Sequence, residues 1–232
     1  TSSDGQVSAR NTVKYDRADR FCLDGRELVP VSGSSATYGS DNAVYQTYID
    51  SGRRIVSKGT SPHGPDYFLV YEKNGLISRY GCAENGSCST GAGGTHGLVG
   101  APNSTRGMWA IVEKRTREGT KIEYEYRNMT VDISERLHRG VKFANASGPW
   151  PNNKLTNDAT QTFEIERIKY AGNEIHFRYE NRPDKSFTYY YGQSSFRNGY
   201  HAGGLGYALL SKTRLGSIAI TTDGGPAKSS YH

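Results

Sequence analysis

Residues Phe163 to Tyr179, FEIERIKYAGNEIHFRY, restrict this chain more than any other stretch. Ile175, Phe177 and Tyr179 share one parity, and Glu174, His176, Arg178 and Glu180 take the other. A period of two is that of a strand with one apolar and one solvated face, and it argues against the alternative of an amphipathic helix, whose apolar residues recur at three and four. Phe163 and Ile165 alternate, but Ile168 and Tyr170 resume on the opposite parity, which predicts a bulge near Glu166-Arg167. Ala171-Gly172-Asn173 between the halves tolerates positive φ, as a short hairpin loop requires. The stretch is therefore expected to fold as strand, turn, strand.

The unit recurs. Trp109 to Tyr126 has an apolar first arm, a polar turn around Glu118-Gly119, and Ile122, Tyr124 and Tyr126 alternating in its second arm. Tyr67 to Tyr80 repeats it around Asn74-Gly75, a strong hairpin signal. The units recur irregularly, at roughly 40 to 55 residues, which suggests a degenerate repeat with insertions and argues against a regular solenoid or propeller. Further strands are expected through Phe21-Cys22-Leu23 (with a tight Asp24-Gly25 turn), 44–49, 186–191 and a closing pair within 207–221; Asn181 to Asp184 reads as a turn. Helical signal is confined to 131–141. The fold class expected is all-β: consecutive hairpins forming one large curved sheet, with long irregular loops and little helix.

Composition agrees. Hydrophobic residues make up only 34% of the 232, so aromatic side chains (17 of them Tyr) must carry much of the buried area. The domain is expected over 15–221, with a loop insertion at 81–107, a flexible segment at 1–14 and a flexible tail at 222–232. The chain begins without an initiator Met or a signal peptide and finishes in a flexible-looking stretch, so both ends read as cuts in a longer polypeptide or products of processing.

The net charge of +6 comes from basic residues scattered among acids at alternating strand positions. That pattern suits a solvated outer face better than a nucleic-acid footprint. No apolar run approaches the ~18 to 20 residues that span a bilayer. Cys82 and Cys88 bracket a short polar loop and are the candidate disulfide, which would place the chain in an oxidising, extracellular compartment. Cys22 is expected to be a buried free thiol.

Catalytic motifs are weak. Glu123-Tyr124-Glu125 and Glu164-Ile165-Glu166 have the Glu-x-Glu spacing of ADP-ribosyltransferases, but any strand with an acidic face produces that spacing. The histidines lack metal-ligand spacing, and neither a Gly-x-Ser-x-Gly elbow nor a phosphate loop is present. No catalytic residue, metal or cofactor is expected. The consequential residues read as structural: Phe21, Leu23, Trp109, Ile122, Tyr124, Ile175, Phe177 and Tyr179 form the expected core, where Phe177→Ala would cost about 3 to 5 kcal/mol. Four glycosylation sequons, at Asn85, Asn103, Asn128 and Asn145, are close to what chance gives in so Asn-, Ser- and Thr-rich a chain.

YDRADRFCLDGRELV, Tyr45 to Asp50, DYFLVYEKNGLISRYG, Trp109-Ala110, GTKIEYEY, EIERIKYAGNEIHFRYENRPD and TRLGSIAIT come in an order that resembles the SpvB-type N-terminal domain of bacterial Tc toxin B components and related Rhs (YD-repeat) proteins. The Tyr-Asp dipeptide itself occurs only as Tyr15-Asp16, and the Cys-containing loop and following Gly-rich segment depart from the pattern. The resemblance implies a scaffold segment of a hollow shell, secreted by a bacterium. It would join through sheet edges to the rest of its polypeptide or to further copies, with an encapsulated effector as a further partner. A carbohydrate-binding or cell-surface-binding β module, using Trp150 and Tyr189-Tyr190-Tyr191, is the alternative.

Overall fold

The computed structural model describes residues 19–59, 61, 64–84, 98–101, 105–130, 161–191, 195–197, 200–202, 206–222, 225 and 229–231. For 98–101, 105, 128–130, 161–163, 184–191, 195–197, 200–202, 206–212 and 229–231 only the backbone is described.

The fold is all-β, and no helix occurs among the described residues. In chain order the strands are β1 (Cys22–Leu23), β2 (Arg26–Pro30), β3 (Val44–Thr47), β4 (Arg54–Lys58), β5 (Tyr67–Tyr71), β6 (Ile77–Gly81), β7 (Leu98–Ala101) and β8 (Thr105–Trp109). They continue with β9 (Ile111–Arg115), β10 (Lys121–Thr130), β11 (Gln161–Tyr170), β12 (Asn173–Tyr191), β13 (Ser195–Arg197), β14 (Tyr200–Ala202), β15 (Gly206–Thr222) and β16 (Ser229–Tyr231). Twelve form one antiparallel sheet in the order β1-β2-β3-β4-β5-β6-β9-β10-β11-β12-β15-β16. The pairs β7–β8 and β13–β14 stand apart as small two-stranded sheets.

The hairpin turns follow from their residues. Asp24-Gly25 and Ala171-Gly172 each join strands whose last pairs are Leu23↔Arg26 and Tyr170↔Asn173, and all four residues have positive φ (51°, 75°, 44° and 76°). Two consecutive left-handed residues make the turn whose twist matches the strands. The turns at 72–76 and 116–120 share another design. Gly75 N–H donates to Glu72 O and Glu72 N–H to Leu76 O, and Gly119 and Thr116 repeat both bonds with Thr116 and Thr120. Neighbouring strands of the large sheet are all antiparallel, so its connections alternate between two rims. The turns at 24–25, 48–53, 72–76, 116–120 and 171–172 are short and share one rim; the strand ends that flank 31–43, 59–66, 82–110, 131–160 and 192–205 lie on the other.

The core sits under the N-terminal half. Leu28, Ala43, Tyr45, Ile55, Phe68 and Val70 are buried together, with Phe21, Leu23, Tyr38 and Trp109 packed against them. Phe21 stacks on Tyr38 (5.1 Å between centroids) and meets Phe68 and Trp109 edge-on at 5.1 and 5.5 Å. Each such aromatic pair adds about 0.5 to 1.5 kcal/mol beyond area burial. The tyrosine hydroxyls find partners: Tyr38 accepts from Phe21 N–H (2.7 Å) and donates to Leu28 O (3.1 Å). Beside this core Arg106, with a side chain only 2% exposed, clamps the 59–66 connection. It donates to Gly64 O, Pro65 O and Asp66 Oδ1 at 2.9, 2.8 and 2.6 Å, while Trp109 Nε1 donates to Pro65 O at 2.9 Å.

Several sequence expectations need correction. Cys22 is free but exposed, because Phe21 and Leu23 take the inward parity and leave it the outward one. Asn181 to Asp184 is no turn. β12 runs through it, with a register break between Asn181 and Ser186 that accommodates Pro183 where the ladder is interrupted. The closing pair of strands is the single strand β15, in which Gly216 is a bulge: Arg178 pairs with Ser217 and Tyr179 with Leu215. Segment 81–107 contains β7 and part of β8, and Trp109 ends β8 instead of opening the β9 arm. The expected C-terminal tail contributes β16, which pairs with Ile218 to Ile220. Positions 1–14 and the helical candidate at 131–141 lie outside the described residues.

Of the expected core, Phe21, Leu23 and Trp109 pack on the true core, whereas Ile122, Tyr124, Ile175, Phe177 and Tyr179 are half-buried and outside it. Alternation told which face each takes, but how deeply a face is covered depends on what packs over it. The predicted bulge is present: Glu125 pairs with Arg167 and Tyr126 with Ile165, leaving Glu166 as the extra residue.

Candidate interaction surface

In the C-terminal half the sheet has two opposite faces, built from one register. Directly paired residues share a face. On one face the pairings Tyr124↔Ile168, Ile168↔Ile175 and Ile175↔Ile220 make a row across β10, β11, β12 and β15. Phe177↔Ile218 and Tyr179↔Leu215 extend this apolar face. Most of its described members are half-buried, Leu215 is 47% exposed and Tyr170 36%, and Tyr126 is buried. Burial pushes the Tyr126 phenol up to about 12, and its hydroxyl donates to Ile111 O at 2.6 Å.

The reverse face is a charge ladder. Arg79↔Glu113, Glu113↔Glu123, Glu123↔Lys169, Lys169↔Glu174 and Glu174↔Thr221 run across six strands. Glu125 lies at its centre, 2.5 Å from Arg167 and 2.7 Å from Lys169. Burial alone would raise its pKa; the bonds from Lys169 and Arg167 outweigh this and hold the carboxyl below the usual range. Glu174 is 3.4 Å from Arg167 and 3.0 Å from His176. At the inner end Arg79 lies 3.7 Å over the Tyr67 ring and its Nε donates to Cys82 O at 2.7 Å.

Where β11 and β12 part, side chains close the gap. β12 pairs with β11 only from Asn173 to His176. Beyond that point Tyr179 donates to Ile165 O at 2.7 Å, Arg127 pairs with Glu164 at 2.8 Å, and Thr213 bonds the same carboxylate. The proximity of Glu164 and, above all, burial raise the Tyr179 phenol.

These positions bear on the catalytic motifs. Glu123, Glu125 and Glu164 are held in ion pairs, and Glu166 is exposed at the bulge. Glu174, His176 and Thr221 lie together, but both neighbours approach Nε2 of the imidazole (3.0 and 3.5 Å), so the ring cannot relay a proton between them as a triad histidine does. No group of three or more metal-ligating side chains occurs among the described residues. Among the described residues no helix is long and apolar enough to cross a membrane.

Cys82 is buried and disulfide-bonded; Cys88, its expected partner, lies outside the described residues. So does Trp150, and Tyr189-Tyr190-Tyr191 is described by backbone alone. The sequence reading missed the buried clamp Arg106 and the tip residues Tyr48 and Ile49, which are 75% and 66% exposed. Only the neighbouring Pro65-Asp66 hinted at a pinned connection for the first.

Among solved structures, the N-terminal domain of effector protein SpvB from Salmonella typhimurium strain LT2 is similar to this chain, with a TM-score of 0.57 and 15% identity. The match covers 92% of this chain and 72% of that one. The chain has a distant SpvB-like fold. At this identity the likeness concerns the fold alone, and it agrees with the SpvB-type part of the resemblance without bearing on the Rhs part. No protein-family model matches the chain, and no curated protein matches it by sequence.

Proposed function

We propose that this chain is a wall segment of a larger β shell in a secreted, toxin-related bacterial protein, a structural part and not a catalyst. The observation that carries this reading is the two-faced sheet: a half-buried apolar row, Tyr124–Ile168–Ile175–Ile220, backs directly onto a ladder of paired charges. A wall between water and an enclosed space, or a neighbouring layer, requires that arrangement. Engagement of most Glu-x-Glu carboxylates in ion pairs also favours a structural role, since a catalytic carboxylate must be free to meet substrate. The similarity to a domain of an effector protein supports the toxin-related context. On this reading the partners are the rest of a longer Tc- or Rhs-like polypeptide, or further copies, around an enclosed effector.

Binding of an apolar fluorescent dye tests the proposal. The isolated chain should bind the dye through its apolar face, and Ile168→Lys with Ile175→Lys should reduce binding. Expression joined to the flanking sequence should reduce it likewise. Dye binding that ignores both changes would overturn the reading.

A further inference from the structure

Among the described residues the outer part of the β12–β15 ladder is paired only within itself. Ser186 to Tyr191 of β12 pairs with Gly206 to Ser211 of β15, well past His176, where β11 stops pairing with β12. β16 adds to β15 only at Ile218 to Ile220. Among the described residues no third strand joins this arm on either side. Its sequence, SFTYYY against GYALLS, contains no charged residue, and apolar or aromatic residues occur at both parities. A two-stranded ribbon is marginal alone in water. Natural edges are usually defended by charge, Pro or bulges. Here Pro183, Lys185 and Lys212 stand at the register break at its root, and the arm beyond carries none.

We infer that the arm is a self-association element, in which the β15 edge of one copy adds antiparallel to the β15 edge of a second copy. A second copy suits this edge because it presents the same uncharged segment. Twofold pairing over 206–211 sets apolar residues against apolar residues without opposing like charges, and it closes, as isologous contacts do. The β16 strand limits the added pairing to the stretch before Ile218. Exposed Leu215 at the root extends the apolar margin. This rests on the wall reading and names the edge and partner through which the wall would grow.

Sedimentation velocity across a wide concentration range tests it, with Leu209→Lys and Tyr190→Lys as arm variants and Ile49→Lys as an exposed control far from the arm. The wild type and the control should dimerise, and either arm variant should weaken the dimer by at least about tenfold. A wild type monomeric throughout, or a dimer indifferent to both arm variants, overturns the inference. Neither result touches the wall reading, which stands or falls on dye binding. If the arm variants fail to fold, hydrogen exchange of the wild type decides. Amide protection over 206–211 that rises with concentration supports the arm, and protection independent of concentration overturns it.

Discussion

The Tyr179 hydroxyl donates to the Ile165 carbonyl across 2.7 Å, at the place where β11 and β12 cease to be partners. A side chain there satisfies a main-chain acceptor that the next strand no longer reaches. Tyr179→Phe should therefore destabilise the domain by about 1 kcal/mol, while Tyr170→Phe, at an exposed position on β11, should change little. Chemical denaturation of the two variants side by side checks this.

Aromatic residues on the same sheet should not be equal. Phe68 is 6% exposed in the core, and Phe68→Ala should cost about 3 to 5 kcal/mol. Phe177 is half-buried, so Phe177→Ala should cost only about 1 to 2 kcal/mol, less than its alternation alone implied. Equal shifts in denaturation midpoint would contradict this ranking.

Ala171 has φ of 44°, a left-handed conformation that a Cβ disfavours. Ala171→Gly relieves that strain and increases the freedom of the unfolded chain, opposing effects of similar size. A net gain of roughly 0.5 kcal/mol is expected, with Ala171→Val destabilising by more than about 1 kcal/mol. Thermal unfolding of the three proteins measures both.

Alkaline pH should weaken the fold in a defined window. Burial pushes the phenols of Tyr38 and Tyr126 up to about 12. A folded-state value above the unfolded one means the folded chain holds the proton longer. The stability is whole below about pH 10 and is lost as pH rises toward 12. Tyr126→Phe should flatten part of that fall, as read from denaturation midpoints against pH.

Acid should act through Glu125. Its folded carboxyl is depressed, so its stabilisation is present above the unfolded value near pH 4 and disappears as pH falls through the lower folded value. Glu125→Gln should cost about 1 kcal/mol at neutral pH and nothing at the bottom of that window. A deficit constant with pH would exclude the ion pairs as its source.

Much of the fold was legible because local chemistry dictates it. Asp24-Gly25, Asn74-Gly75 and Ala171-Gly172 mark turns, and the parity slip between Ile165 and Ile168 marks the bulge at Glu166. Depth was not legible. Phe177 and Phe68 sit in equally alternating strands, yet only Phe68 has the Phe21 and Trp109 rings over it, placed there by distant parts of the chain. The turn expected at Asn181 to Asp184 failed because Pro183 marks both turns and register breaks, and only the partner strand distinguishes them. The interaction surface was half legible: the charge alternation was visible, whereas the Glu125–Arg167–Lys169 cluster depends on which strands become neighbours.

The segregation of brief turns to one rim and extended connections to the other gives the molecule a conservative end and a permissive one. Residues added within 82–110, 131–160 or 192–205 would lengthen an excursion and leave the twelve-stranded sheet in register. One added at 24–25 or 171–172 would slip a strand and turn its greasy side to water. Variation among descendants of this chain should therefore accumulate on one margin, as tassels do on a woven edge.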